Sequence, residues 1–201
     1  MENTEKESGK ISYCFGLSVA SSLITSGVTS LDIEDFTKAL TTVFKGEKPE
    51  ISPEEANRIL QAHFTRLQRE KGDKAMAAGK EFLKNNSEKP GVTTLASGLQ
   101  YKILKEGKGK KPTDRDNVKC HYEGRLISGE VFDSSIRRGQ PAEFPVNGVI
   151  KGWVEALQLM NTGSRWQLYI PSDLAYGKTG AGSSIGPNET LIFDVELLDI
   201  V

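Results

Sequence analysis

Cys120 and His121 are neighbours, and a thiol beside an imidazole is the simplest pairing in the chain that could make a nucleophile with its base. The residues around them alternate in polarity with period two, so adjacent side chains point to opposite faces of a strand and the two cannot meet. Gly177-Lys178-Thr179 has the ending of a phosphate-binding loop, but Ser172 stands where its first glycine belongs and no helical pattern follows. His63 lies in a long charged helical segment with no second ligand at metal spacing. The basic turn Gly107–Lys111 sits in a chain of net charge −1, which makes it a solvated loop. The expectation is a protein with no metal and no cofactor. What remains is VFDSSIRRGQPAEFPVNGVIKGWVEAL, residues 131–157, where the carboxylate of Asp133 is set among aromatic residues in a mostly apolar run. A carboxylate in such company is costly unless a partner or a task holds it there.

Composition narrows the classes of function. The 201 residues are 37% hydrophobic and 26% charged, enough for one large domain or two small ones. Near-neutral charge argues against nucleic acid as a partner. Residues 11–31 carry no charge, yet ten of these twenty-one are Ser, Thr or Gly, too polar for a membrane span. The start, MENTEKESGK, is not a secretory signal. The two cysteines, Cys14 and Cys120, are far apart in sequence and read as small buried hydrophobes rather than as a disulfide or a metal knuckle. The resulting expectation is a cytoplasmic protein, with a periplasmic or surface location as the alternative should a signal segment precede Met1.

Three regions must position the Asp133 segment. In residues 1–50, Tyr13, Leu17, Ala20 and Ile24 form one helical stripe and Phe15, Val19 and Leu23 another. After a break at Ser26-Gly27, Asp32 caps a second helix with Ile33, Phe36, Leu40, Val43 and Phe44 at helical spacing. Two short helices this apolar need a further surface. In residues 51–88, Ser52, Pro53 and Glu55 form a helix-start signature, and the pattern runs to about Asn85, about 50 Å of helix. Its apolar positions thin out past Lys71, so it reads as a solvated arm anchored at its N-terminal end, frayed or bent at Gly72 and Gly79. From residue 89 onward the period becomes two, at Leu99/Tyr101/Ile103, Val118/Cys120/Tyr122, Trp166/Leu168/Ile170 and Leu191/Phe193/Val195/Leu197. One short helix interrupts, with Ile150, Trp153, Val154 and Leu157 on a single face. The fold class is α+β: an all-helical region, a long linking helix, and an antiparallel β-sheet wrapped around one short helix.

The stretches VKCHYEG (118–124), GEVFDSS (129–135), NGVIKGWVEALQLM (147–160), IPSDLAYG (170–177) and TLIFDVELLDI (190–200) occur in order across the last 113 residues. That region resembles an FKBP-type peptidyl-prolyl cis-trans isomerase domain. YCFGLSVASSL followed by the SPEE-capped helix resembles the dimerisation helices of the bacterial subgroup that includes the macrophage infectivity potentiators. The resemblance implies Asp133, Tyr176 and Phe132 as catalytic residues. It implies Tyr122, Arg138, Val149, Ile150, Trp153, Ile185 and Phe193 as the substrate pocket, with Trp153 as the floor and Arg138 paired to Asp133. The expected substrates are proline-containing unfolded polypeptides, with rapamycin-type macrolides as inhibitors, and a chaperone-like holding role stands beside the isomerase activity.

Two features depart from the commoner pattern. Ala142 stands where a bulky aromatic is frequent, which bears on the residue preferred before proline. Ser184 and Gly186 stand where apolar residues or proline are frequent, which bears on macrolide binding. The unmatched apolar surface of the first two helices predicts a homodimer through residues 1–50, in which a two-fold axis buries the same patch on both chains.

Overall fold

A computed structural model describes residues 2–201, with side chains from residue 7 onward, so part of the polar start lies outside the described residues. The chain forms two compact units, residues 1–67 and 68–201.

The first unit is helical. Helix α1 spans Glu2–Thr25 and begins before the apolar stripes do. It stops where Gly27 adopts φ 97°, with Gly27 N–H donating to Ile24 O and Val28 N–H to Leu23 O, a glycine-terminated helix end. Helix α2 spans Ile33–Phe44. The Asp32 carboxylate accepts from the Glu34 and Asp35 N–H groups at 3.0 and 3.1 Å, the cap read from the sequence. None of the α2 residues is buried, and Tyr13, Phe15 and Ile24 of α1 are 70%, 69% and 70% exposed. Apart from Leu23 and Phe36, which are half-buried, the residues of the apolar stripes are exposed within this unit. No helix among the described residues is long and apolar enough to cross a membrane.

Helix α3 runs unbroken over Pro53–Ser87, with Glu55 N–H donating to Ser52 Oγ at 3.2 Å. It continues through both glycines without a break. Its buried residues are Gly72, Gly79 and Asn86, seven apart and on one face, and all belong to the second unit. This overturns the expectation of an arm anchored at its N-terminal end. The glycines that lower helix propensity are the positions where the helix packs most closely. A Cβ at Gly79 would lie 2.3 Å from Thr190 Oγ1, and one at Gly72 would lie 3.2 Å from Pro187. Asn86 Nδ2 donates to Gln100 Oε1 at 3.0 Å and Gln100 Nε2 donates to Leu83 O at 2.9 Å, which ties the helix end to the sheet.

The second unit is a seven-stranded antiparallel sheet. Its strands are β1 (Val92–Thr94), β2 (Gln100–Lys105), β3 (Asn117–Leu126), β4 (Val131–Ser134), β5 (Ala142–Pro145), β6 (Arg165–Ile170) and β7 (Leu191–Ile200). Their order is β1-β2-β6-β7-β3-β4, with β5 also pairing to β3. The four period-two runs are β2, β3, β6 and β7. The short strands β1, β4 and β5 carry three or four residues each, too few for alternation to show.

Helix α4 spans Lys151–Leu159 and buries Gly152, Trp153, Ala156 and Leu157. These pack with Val118, Cys120, Leu168, Ile170, Val195 and Leu197 of the sheet in one continuous core. Burial pushes the Cys120 thiol up to about 12, so it stays protonated at physiological pH. At Gly152 a Cβ would lie 2.5 Å from Ile170 Cγ2, which is what lets a nine-residue helix settle onto the strands. Gly152→Val should therefore overpack this contact and destabilise the unit by about 2 kcal/mol, read as a lower urea midpoint at unchanged m-value. A variant as stable as the parent would show that α4 does not approach this closely.

Candidate active site: an aromatic box closed by a carboxylate–tyrosine–arginine network

The residues singled out in the sequence come from separate elements. Tyr122 is on β3, Phe132 and Asp133 are on β4, and Arg138 is in the turn that follows. Val149 and Ile150 precede α4, Trp153 is in its first turn, and Phe193 is on β7. Tyr176 and Ile185 belong to the segment between β6 and β7.

Four aromatic rings meet edge to face. Trp153 lies 5.4 Å from Tyr122 at 89° and 5.2 Å from Phe193 at 84°, while Phe132 lies 5.5 Å from Phe193 at 82°. Edge-to-face pairs set a ring's positive edge against its neighbour's negative face, so they are attractive and fix orientation. Trp153 and Phe193 are 4% and 5% exposed, and Tyr122, Phe132, Val149 and Ile150 pack partly buried against the same core. Trp153 is thus the buried base of the group, with Tyr122 and Phe132 nearer the solvent.

Two members of this arrangement were missed in the sequence. Gly124 lies between the rings, where a Cβ would come within 2.6 Å of Phe193 and 2.7 Å of Phe132. Phe144 of β5 supports Trp153 from another side, at 5.5 Å and 64°. Gly124 stood inside the VKCHYEG stretch, but a glycine on a strand shows its purpose only once its neighbours are placed. Phe144 had a weak signal, since it alternates with Ala142 over only four residues.

Asp133 sits at the rim. Tyr122 Oη donates to Asp133 Oδ2 at 2.5 Å, Arg138 Nη1 donates to Asp133 Oδ1, and Arg138 Nη2 donates to Tyr122 Oη at 2.9 Å. Each group therefore touches the other two. Burial pushes the Asp133 carboxyl up, but hydrogen bonds from Tyr122 and Arg138 and the guanidinium charge outweigh it and hold the group below the usual carboxylate range. Burial and the donation to Asp133 push the Tyr122 hydroxyl up, so it remains a donor. The pairing of Arg138 with Asp133 is as expected from the sequence.

Ile150 caps α4 with extended backbone, and among the described residues no acceptor takes its N–H. Tyr176 is 39% exposed and its hydroxyl makes no hydrogen bond among the described residues, whereas Ile185 is buried in the core. Cys120 and His121 face opposite ways as strand alternation requires. Cys120 is fully buried, while His121 Nδ1 lies 3.1 Å from Ser135 Oγ and lines a cavity of about 320 Å³ on the other sheet face with Arg165, Asp194 and Glu196. No cluster of three or more candidate metal ligands occurs among the described residues.

Comparison with known proteins agrees with this geometry. Residues 108–198 match the family model described as FKBP-type peptidyl-prolyl cis-trans isomerase, and residues 8–103 match that of the domain amino terminal to it. The chain is 45% identical over 193 residues to the FKBP-type 22 kDa peptidyl-prolyl cis-trans isomerase of Escherichia coli (strain K12), covering 94% of each chain. It is 39% identical to the outer membrane protein MIP of Legionella longbeachae, covering 98% of this chain and 86% of that one. The crystal structure of FkpA from Escherichia coli superposes with a TM-score of 0.80 at 34% identity, covering 97% of this chain and 95% of that one. A chain with this aromatic box, these two matched regions and relatives spanning nearly its whole length belongs to the FKBP-type peptidyl-prolyl cis-trans isomerases, enzymes that accelerate rotation about the bond preceding proline.

Proposed function

We propose that the aromatic box of Tyr122, Phe132, Trp153 and Phe193, with Val149, Ile150 and Ile185, receives the proline ring of the substrate, and that Asp133, Tyr176 and Phe132 carry the catalysis. The observation that supports this most directly is the closed network of Tyr122, Asp133 and Arg138 at the rim of an apolar box. Rotation about an amide bond costs about 18–20 kcal/mol because it breaks resonance. Unaided X–Pro isomerisation therefore takes roughly 10–100 s. The twisted amide has lost its charge separation, so a dry, weakly polar site favours it over either planar form, and catalysis is tighter binding of the twist. No nucleophile is required. The free Ile150 N–H and the Tyr176 hydroxyl hold the substrate carbonyl, and Asp133, fixed by two donors, supplies a constant local field.

The division of labour starts from the sequence reading, in which residues 1–50 dimerise, 51–88 connect and 89–201 catalyse, with the catalytic unit extended back to residue 68, where the second compact unit begins. Exposed rings on α1 and α2, with Phe44 at 87% and Tyr13 at 70%, support a second copy as their cover and a holding role toward unfolded chains beside the isomerase activity. The cytoplasmic expectation gives way to its periplasmic or surface alternative, supported by the relative named as an outer membrane protein; recovery in the cytoplasmic fraction on cell fractionation would reverse this.

Asp133→Ala and Phe132→Ala should each lower isomerisation of a short X–Pro peptide at least tenfold, about 1.4 kcal/mol of barrier. The Asp133 variant should stay folded, and full activity in it would place the site elsewhere. The depressed carboxyl also sets a pH dependence. Because the folded state favours ionised Asp133, its contribution is complete above the ordinary value of 3.8 and is lost as pH falls through the lower folded value. Peptide isomerisation should stay level from about pH 7 to about pH 5, and loss of half the activity in that window would assign control to another group. Light scattering of the full chain at micromolar concentration should give twice the chain mass of 22.0 kDa, and a monomer mass would remove the dimer.

A further inference from the structure

The C-terminal half of α3 does more than end near the sheet: it holds the segment that carries Tyr176 and Ile185. That segment, between β6 and β7, has little regular structure of its own. Its internal ties include a 3-10 turn over Ser172–Leu174, the bond from Gly177 N–H to Ser172 O at 2.8 Å, a short bridge between Ala181 and Ile185, and the bond from Asn188 N–H to Gly177 O at 2.8 Å, next to Tyr176. Asn188 makes a second bond with its side chain, from Nδ2 to the backbone carbonyl of Gly72 at 3.2 Å, across 116 residues of sequence. It is 8% exposed and holds φ 58°, the one left-handed non-glycine residue among those described. Asparagine tolerates that conformation better than most side chains, but it still carries a cost that the surroundings must offset. Two glycines on α3 make the approach possible. Gly79 faces Thr190, where a Cβ would lie 2.3 Å from Oγ1 and clash, and Gly72 faces Asn188 and Pro187, where a Cβ would lie 3.0–3.3 Å away and fit only if the neighbours gave by a few tenths of an ångström.

We propose that Asn188 is a positioning residue for the isomerase site, acting as a strap that anchors the Tyr176–Ile185 segment to the backbone of α3 through glycines 72 and 79. The proposal rests on the pocket reading given above. One end of the strap fixes the carbonyl beside Tyr176, and the other is a rigid helix whose own backbone bonds hold Gly72 O in place. The segment's geometry toward substrate is therefore set by α3, although α3 contributes no residue to the pocket. Residues 68–87 then form part of the catalytic unit's support. Because the strap orients Tyr176, one of the groups given a catalytic role above, together with Ile185, its loss should lower kcat/KM while the rim network of Asp133 stays in place.

The test uses the full chain. Asn188→Gly keeps a residue suited to positive φ and removes only the amide, while Gly79→Ala pushes the helix off Thr190. In both, kcat/KM for a short X–Pro peptide should fall about fivefold. Amide exchange at Ala181 and Ile185 should quicken while that of the β7 core amides stays at the parent rate. Adding Thr190→Ala to Gly79→Ala removes the clashing hydroxyl and should restore most of the loss. An Asn188→Gly protein with parent kcat/KM and parent exchange at Ala181 and Ile185 would overturn the strap, as would exchange rising equally throughout β7, which marks general loosening. Should Gly79→Ala fail to fold, Asn188→Gly decides alone. Loss of activity in Asp133→Ala together with parent behaviour in Asn188→Gly would reject the strap and keep the site, whereas retained activity in Asp133→Ala would reject the site itself.

Discussion

The packing of Trp153 against the inward face of the sheet is the contact on which the rest depends. A helix of nine residues has only two and a half turns with which to cover seven strands, so each buried position must reach as far as it can. Gly152 lets the helix axis approach Ile170, and the adjacent Trp153 then extends into the space that Tyr122, Phe144 and Phe193 leave between them. The same side chain is core on one side and the base of the aromatic box on the other. This economy makes the site rigid, because moving the indole would disturb the packing that holds the fold together.

Charge enters only at the rim. A lone buried carboxylate would protonate or pull the structure open, and Asp133 avoids both by accepting from a phenol and a guanidinium that also bond to each other. Tyr122 therefore belongs to two systems: its ring packs on Trp153 while its hydroxyl holds Asp133. The polar network and the apolar box share that residue, which fixes their geometry relative to one another without any further contact.

Much of this was legible in the sequence because period and chemistry agreed. The four long alternating strands, the single α4 stripe and the caps at Asp32 and Ser52 each rest on a local rule, and the structure follows them. The pairing of Arg138 with Asp133 came from resemblance, and the geometry agrees. What could not be read were features whose meaning lies in a distant partner. Gly124, Gly72 and Gly79 look like weak points to a propensity argument, since a glycine's missing Cβ has value only when something else occupies the space. Asn188 is ordinary in a loop until Gly72, 116 residues away, is placed beside it. The apolar thinning of α3 past Lys71 misled for the same reason: that face is buried through glycine and asparagine, which hydrophobicity does not score.

Cys120 has a consequence in oxidising surroundings. Oxidants attack the thiolate, and a thiol held at about 12 within a sealed core supplies almost none. It is also the one cysteine of the unit that carries the pocket. The rotation of an X–Pro bond neither gives nor takes electrons, so it asks nothing of this thiol. An isomerase built this way keeps the thiol of its core out of reach of oxidants.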